Sequence, residues 1–386
     1  MTFRYSPCKI IQCLVALLIL GAMSSASDHR NLVYVGTYTE KQSKGIYAFR
    51  FDPASGEASA VELVAETANP SFLALDQSGS YLYAVNELDT FDGKMTGAVT
   101  AYEVNRETAK LNQLQQVSSA GAGPAHISLD RSGRYILVAN YGAGNVAVFP
   151  IEKDGRLGAR TAFEQHVGSS VNKDRQSSPH AHQIDASPDD RFVFVADLGI
   201  DELVVYRFDD KTGALSPNPI PYAKVAPGAG PRHFATSPSG KFVYLVNEMS
   251  STVEVFAFDG ATGKLTPKQS ISTLPKDFHG ENTTAEIATD RSGRFLYVSN
   301  RGDDSIAVFA IHPQDGKLSF VERVPTGGKT PRHFALDPTG KWLFAANQDS
   351  DTIRIFAVDA ESGRLKPTPH SIQVPSPVNV VFRTGD

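Results

Sequence analysis

The stretch Pro231-Arg-His-Phe-Ala-Thr-Ser-Pro-Ser-Gly-Lys-Phe-Val-Tyr-Leu-Val-Asn-Glu248 decides the fold, because its pattern returns along almost the whole chain while its polar ends change. Each copy carries a turn residue, Gly79, Gly133, Asp190, Gly240, Gly293 or Gly340. Seven positions later stands Asn86, Asn140, Asp197, Asn247, Asn300 or Asn347. Between turn and Asn runs a short apolar segment such as Tyr-Leu-Tyr-Ala-Val or Phe-Leu-Tyr-Val-Ser. Its aromatic and β-branched residues, bounded by turns, predict a strand. The constant part is scaffold and the varying ends are the candidate site.

Successive turn positions lie 54, 57, 50, 53 and 47 residues apart, enough for four short strands per repeat. Downstream of the Asn comes a third strand (Asn145-Val-Ala-Val-Phe149, Leu203-Val-Val-Tyr206, Thr252-Val-Glu-Val-Phe256, Ser305-Ile-Ala-Val-Phe309, Thr352-Ile-Arg-Ile-Phe356). A Gly-containing turn and a variable edge strand follow. No stretch holds a 3.6-residue apolar period, which argues against long helices. Four-stranded units of this period predict an all-β chain: a β-propeller with antiparallel blades. Asn31-Leu-Val-Tyr-Val-Gly-Thr37 reads as a second strand without a first, and Pro377-Val-Asn-Val-Val-Phe382 as a first strand without a second. Joined, they make a seventh blade, and this pairing of N- and C-terminal strands closes the ring and leaves no open sheet edge.

The 386 residues are 41% apolar, which suits a packed core, and carry a formal charge of −5. Residues 1–26 contain Arg4, Lys9 and no acid, so the remainder stands at −7. That balance argues against a nucleic-acid partner, which calls for clustered Lys and Arg. Residues 1–26 read as a signal peptide: a basic start, an apolar middle over 10–22, and Ser24-Ser25-Ala26 as a small-residue cleavage site. The middle is too short to span a bilayer. The expected product is one propeller domain over 27–386, periplasmic or secreted, with no membrane contact after cleavage. Both cysteines, Cys8 and Cys13, fall in the signal, so the mature chain needs no disulfide.

Strands one and two of each repeat are antiparallel, so the start of one and the end of the other meet on the same face of the ring. Three aligned columns gather there. Eight residues before the turn stand Ser71, Ala125, His182, Arg232, Ala285 and Arg332. One further on stand Phe72, His126, Gln183, His233, Glu286 and His333. Eight after the turn stand Glu87, Tyr141, Leu198, Glu248, Arg301 and Gln348. Consecutive repeats carrying His182, Arg232 with Glu248, Glu286 with Arg301, and Arg332 predict basic groups and carboxylates on one side of the mouth. Paired arginines suit an anionic substrate, since the guanidinium fork makes bidentate charge-assisted bonds and keeps its proton. A carboxylate or imidazole beside them can move a proton or activate water.

Each group also has a plainer reading. His126, His233 and His333, in Pro-Ala-His and Pro-Arg-His, serve equally as structural links between blades, and Arg232 with Glu248 as an ion pair tying two strands. His180-Ala-His182 puts two imidazoles on one strand face, yet the sequence offers no third ligand, and no metal or cofactor is expected. Asp303-Asp304 and Asp349-Ser-Asp351 read as solvated turns, and His166 as a loop residue.

In Val35-Gly-Thr-Tyr38, Pro124-Ala-His126, Pro179-His-Ala-His182, Asp197-Leu-Gly199, Gly230-Pro-Arg-His233, Val246-Asn-Glu248, Ser299-Asn-Arg301 and Pro331-Arg-His333, the chain resembles the seven-bladed propeller lactonases. That family includes the propeller-type 6-phosphogluconolactonases and the fungal carboxy-muconate lactonising enzyme, and the resemblance covers residues 31–383. It implies catalytic roles for Glu248, His182, Arg232 and Arg301, with His180 as a rival to His182. Arg332, Glu286, His180, His233, His126 and Gln348 are then expected to bind substrate, a small anionic lactone or sugar acid. The expected reaction is hydrolysis of 6-phosphogluconolactone or a related aldonolactone to the open acid. Glu248 or His182 would activate water; Arg232 and Arg301 would hold the anion and the developing oxyanion. The alternatives are a lactonising cycloisomerase, and a secreted propeller that binds a protein or glycan without catalysis. A quinone-dependent dehydrogenase is disfavoured, because such propellers repeat tryptophan and this chain has only Trp342.

Overall fold

A computed structural model describes residues 1–3 and 30–383, so all of the expected signal but its first three residues lies outside the described residues. Seven antiparallel sheets form the ring. Six follow the chain directly, beginning at Leu73–Leu75, Pro124–Leu129, Ala181–Ala186, Pro231–Thr236, Thr283–Thr289 and Pro331–Leu336; these are blades 1 to 6. In blade 7 the C-terminal strand Pro377–Arg383 pairs with Asn31–Thr37, from Leu32 opposite Arg383 to Thr37 opposite Pro377. The outer strand of this blade is split into Glu57–Ala58 and Glu62–Glu66. The helical content among the described residues is one 3-10 turn, Gln348–Ser350, and no described helix is long and apolar enough to cross a membrane.

The repeated residues earn their places locally. At the turn, Gly79, Gly133, Gly240, Gly293 and Gly340 adopt φ between 63° and 71°, a region open to glycine, and Asp190 fills it in blade 3 at 53°. The Asp that opens the turn caps it: Asp130 Oδ1 accepts from the backbone N–H of Arg134 and of Tyr135. The Asn residues are fully buried; Asn86 and Asn140 tie strand two to the connection from the preceding blade, whereas Asn247 and Asn347 donate to Thr252 and Thr352 at the start of strand three of their own blades. Asn86 Nδ2 donates to Ala68 O at 2.6 Å, and Asn140 Nδ2 to Ser119 O at 3.0 Å.

Seven apolar clusters lie in the seven seams between blades, each drawing on two neighbours. Tyr83 and Val85 of blade 1, for example, pack on Ile127, Ile136 and Val138 of blade 2. The inner strands are buried on both faces, which explains their unbroken apolar runs.

One backbone feature aims side chains at the axis. In blades 2, 3, 4 and 6 strand one bulges near its start. Pro231 pairs with Asn247 and His233 with Val246, leaving Arg232 as the extra residue. Ala125, His182 and Arg332 occupy the same position. Val378 does so in blade 7, and in blade 5 the register slips between Thr284 and Ile287. A bulge breaks the alternation of a strand, so two successive side chains can face the channel.

Candidate active site

The channel mouth opens into a cavity of about 330 Å³, within the range of small-ligand sites. Its charged lining, Glu87, Arg175, Glu248, Arg301 and Arg332, comes from four blades and one loop, and a fifth blade adds His182. Two larger grooves, about 460 and 470 Å³, run beside the outer strands of blade 7, far from these converging charges.

Glu248 is the hub. Its Oε2 accepts from Arg232 Nε at 3.0 Å and pairs with Arg301 Nη2 at 2.9 Å, and its Oε1 accepts from Arg175 Nη2 at 2.7 Å. Burial alone would raise its pKa, but Arg301, Arg232 and Arg175 outweigh burial and hold the carboxyl well below the usual range. Both oxygens are thus engaged and the group stays ionised. Arg232, 2% exposed, also donates Nη1 to Ala285 O. Burial, then Arg301 and Arg332, push its pKa down, while Glu248 opposes them. Arg301 donates to Thr284 O, and its buried Nε has no partner in the protein. Across the mouth Arg332 donates to the Tyr38 hydroxyl at 2.8 Å and stacks on that ring, and the hydroxyl donates to Glu87 at 2.9 Å. Four guanidiniums here face two carboxylates, an excess of positive charge around the mouth.

His182 borders this cavity and also the channel below it. Burial first, then Arg232 and His233, lower its pKa well below the usual imidazole range, so it is neutral at neutral pH. Its ring meets Tyr141 edge-on at 5.4 Å and His233 at 5.0 Å. His180 is placed differently. The strand begins only at Ala181 and bulges at His182, so the two imidazoles do not share a strand face. The His180 ring stacks on Tyr141 and its Nδ1 bonds to Tyr141 O at 2.9 Å.

His126, His233, His333 and Glu286 form a lower layer with Phe72 and do not line the substrate-sized cavity. Glu286 therefore does not share the mouth with Arg301: its Oε2 lies 3.0 Å from His233 Nδ1 and 3.4 Å from His333 Nε2. Gln348 does not line the cavity either. It opens the 3-10 turn, which directs its amide to Asp349.

Three features escape the repeat columns. Arg175 sits in the loop 166–180, pinned by buried Gln176, whose Nε2 donates to Leu198 O and to Asp201 Oδ1. Tyr38 stands directly after Thr37, the blade 7 counterpart of the Asn, where a chain-end repeat hid it. His166 is buried, with Nδ1 2.6 Å from Asp197 Oδ2, so the one Asp in the Asn column has a specific partner. Asp303 and Asp304 are also only half-buried turn residues with partners, Asp303 pairing with Arg323 and Asp304 accepting from Thr330 N–H. Among the described residues, no group of three or more His, Cys, Asp or Glu is arranged to hold a metal.

A seven-bladed ring with buried arginine, glutamate and neutral histidine around a cavity at its mouth defines the class as a propeller with a small-molecule, anion-attracting site. The family described as "Lactonase, 7-bladed beta-propeller" matches residues 32–382. The chain belongs to this family of lactonases. It is 37% identical over 299 residues to the 6-phosphogluconolactonase of Bacillus subtilis strain 168, covering 78% of this chain and 83% of that one. It is 33% identical over 305 residues to the 6-phosphogluconolactonase of Formosa agariphila, covering 78% and 85%. The structure of the periplasmic gluconolactonase of Pseudomonas aeruginosa superposes with a TM-score of 0.86 at 39% identity, covering 92% of this chain and 98% of that one.

Proposed function

We propose that the enzyme hydrolyses the lactone of a sugar acid, an unphosphorylated aldonolactone such as gluconolactone before 6-phosphogluconolactone, in the periplasm or outside the cell. The observation that carries the reading is the Glu248 carboxylate held by three guanidiniums beside a neutral His182. Glu248 is too strongly engaged to take a proton, so its part is to fix the arginines in place. His182 is the base. A water attacks the ester carbonyl and its proton passes to the ring nitrogen of His182 that faces the cavity. The new C–O bond makes a tetrahedral oxyanion, which Arg232 and Arg301 stabilise where few waters compete. The ring C–O bond then breaks, His182 returns the proton to the leaving oxygen, and the open acid forms. The signal-like residues 1–26 and the periplasmic relative favour a substrate without phosphate.

The test is the rate of acid release from freshly made δ-lactones of gluconate and 6-phosphogluconate, against the spontaneous rate. Acceleration by the mature protein, lost in Arg232→Lys and Glu248→Gln, supports the reading. No acceleration with either lactone overturns it.

A further inference from the structure

Beneath the substrate cavity lies a second, narrow space in the channel of about 10 Å³, bordered by Ser71, His182, Arg232, His233 and His333. Three polar atoms of its walls, Ser71 Oγ, His182 Nδ1 and His233 Nε2, are buried without a partner in the protein. These residues are 3% to 5% exposed. A space of this size accommodates one water, and a buried water needs two to four polar partners.

The protonation pattern of the walls follows from fixed donors. The backbone N–H of Val380 donates to His333 Nδ1 at 3.3 Å, so neutral His333 carries its proton on Nε2, which faces Glu286 Oε2 at 3.4 Å. Glu286 Oε1 accepts from the Ile287 N–H at 3.0 Å, and its Oε2 meets His233 Nδ1 at 3.0 Å. An acceptor at that point places the His233 proton on Nδ1 and leaves Nε2 with a free lone pair toward the channel. Leaving that lone pair and the other two atoms unpaired would cost about 1–3 kcal/mol each.

The geometry points to a single-water site that links His182 to the His233–Glu286 pair. The water donates to His233 Nε2 and to Ser71 Oγ and accepts from His182 Nδ1–H. His182 is thereby held in the tautomer whose Nε2 lone pair faces the substrate cavity, the form a general base requires. His233 and Glu286 are positioning residues: they touch no substrate and act through the water. No bond is made or broken in this link, only hydrogen bonds. Arg232 and Arg332 are the cations bordering the space, and Glu87 is its carboxylate on the mouth side. The assignment of His182 as base rests on the lactonase reading; the water and the tautomers do not.

The experiment is long-range proton–nitrogen NMR of the imidazoles in the mature protein labelled with ¹⁵N-histidine, with kinetics on the same samples. The expected spectrum at pH 7.5 shows His182 and His233 both protonated on Nδ1. In Glu286→Gln the amide donates to His233 Nδ1, so His233 switches to Nε2–H and kcat falls at least roughly tenfold with KM unchanged. His233→Asn, which keeps Glu286 with His333, loses the same factor and serves if the glutamine variant does not fold. A crystal structure at ~1.5 Å should place one water within ~3.2 Å of the three atoms. His182 protonated on Nε2 in the unaltered protein, or a direct bond between His182 and His233 with no water, overturns the inference. The expected spectrum in a protein that opens no lactone upholds the water link and overturns the substrate reading instead.

Discussion

Arg175 reaches Glu248 from a loop 73 positions earlier in the chain, and its Nη2 lies 2.7 Å from Oε1. Arg232 and Arg301 hold the other oxygen from below, whereas Arg175 closes over it from the solvent side with 42% of its side chain exposed. It is the guanidinium best placed to meet an arriving ligand. Arg175→Ala is expected to raise KM about tenfold, the worth of one charge-assisted hydrogen bond, with a smaller effect on kcat. An unchanged KM in steady-state assays would remove Arg175 from substrate capture.

Arg232 is buried beside the proposed reacting centre, and charge alone does not replace its planar fork. Arg232→Lys is expected to keep the circular dichroism of the native ring and to lose about 10²–10³-fold in kcat, the scale of one lost oxyanion donor. Retained turnover would show that the oxyanion is stabilised elsewhere.

The excess of guanidinium charge at the mouth predicts inhibition by small anions. Inorganic phosphate and gluconate are expected to compete with lactone, and the inhibition constant should rise with added sodium chloride as screening grows. Inhibition that ignores ionic strength would mean that the anion binds outside this cavity.

Acid should loosen the ring. Burial lowers His126, His182 and His233 well below the usual imidazole range and His333 to about 4, so between pH 6.5 and 4 the unfolded chain binds protons that the folded one does not. Stability therefore falls as pH falls through this window, by up to about 1.4 kcal/mol per pH unit for each histidine. Glu286 works the other way, since burial raises its pKa. The melting temperature should drop from pH 7 to pH 5, and His126→Asn should shallow that slope by one proton. A melting temperature flat across the window would contradict the buried neutral cluster.

Restoring the consensus in blade 3 should harm it. Asp197 Oδ1 accepts from the N–H of His180 and of Gly199, and Oδ2 pairs with His166. Asp197→Asn sets an amide donor against His166 or strands its buried ring, at a cost of about 1–3 kcal/mol in denaturant unfolding.

The scaffold was legible because its requirements repeat. The left-handed turn falls on glycine five times and on Asp once, and the buried end of strand two asks for Asn, so period and ring closure could be read directly. The site was legible as columns and less so in depth. Nothing in Pro-Arg-His announces a bulge, and the bulge is what lets Arg232 and His233 both face the channel, the first bonded to Glu248 and the second to Glu286. For the same reason Glu286 was expected beside Arg301 and lies a layer below it. Arg175 was out of reach because its loop has no counterpart in other repeats, and only the folded ring brings it to Glu248.

The closing strand Pro377–Arg383 does more than latch the ring. It supplies Val378 to the channel wall and the Val380 N–H that sets the His333 proton. That strand pairs with Asn31–Thr37 from the opposite end of the propeller sequence, so the channel floor is finished only when this longest-range pairing of the ring forms. Catalysis is then a property of the closed ring, and the proton order in its centre is set by the strand that closes it.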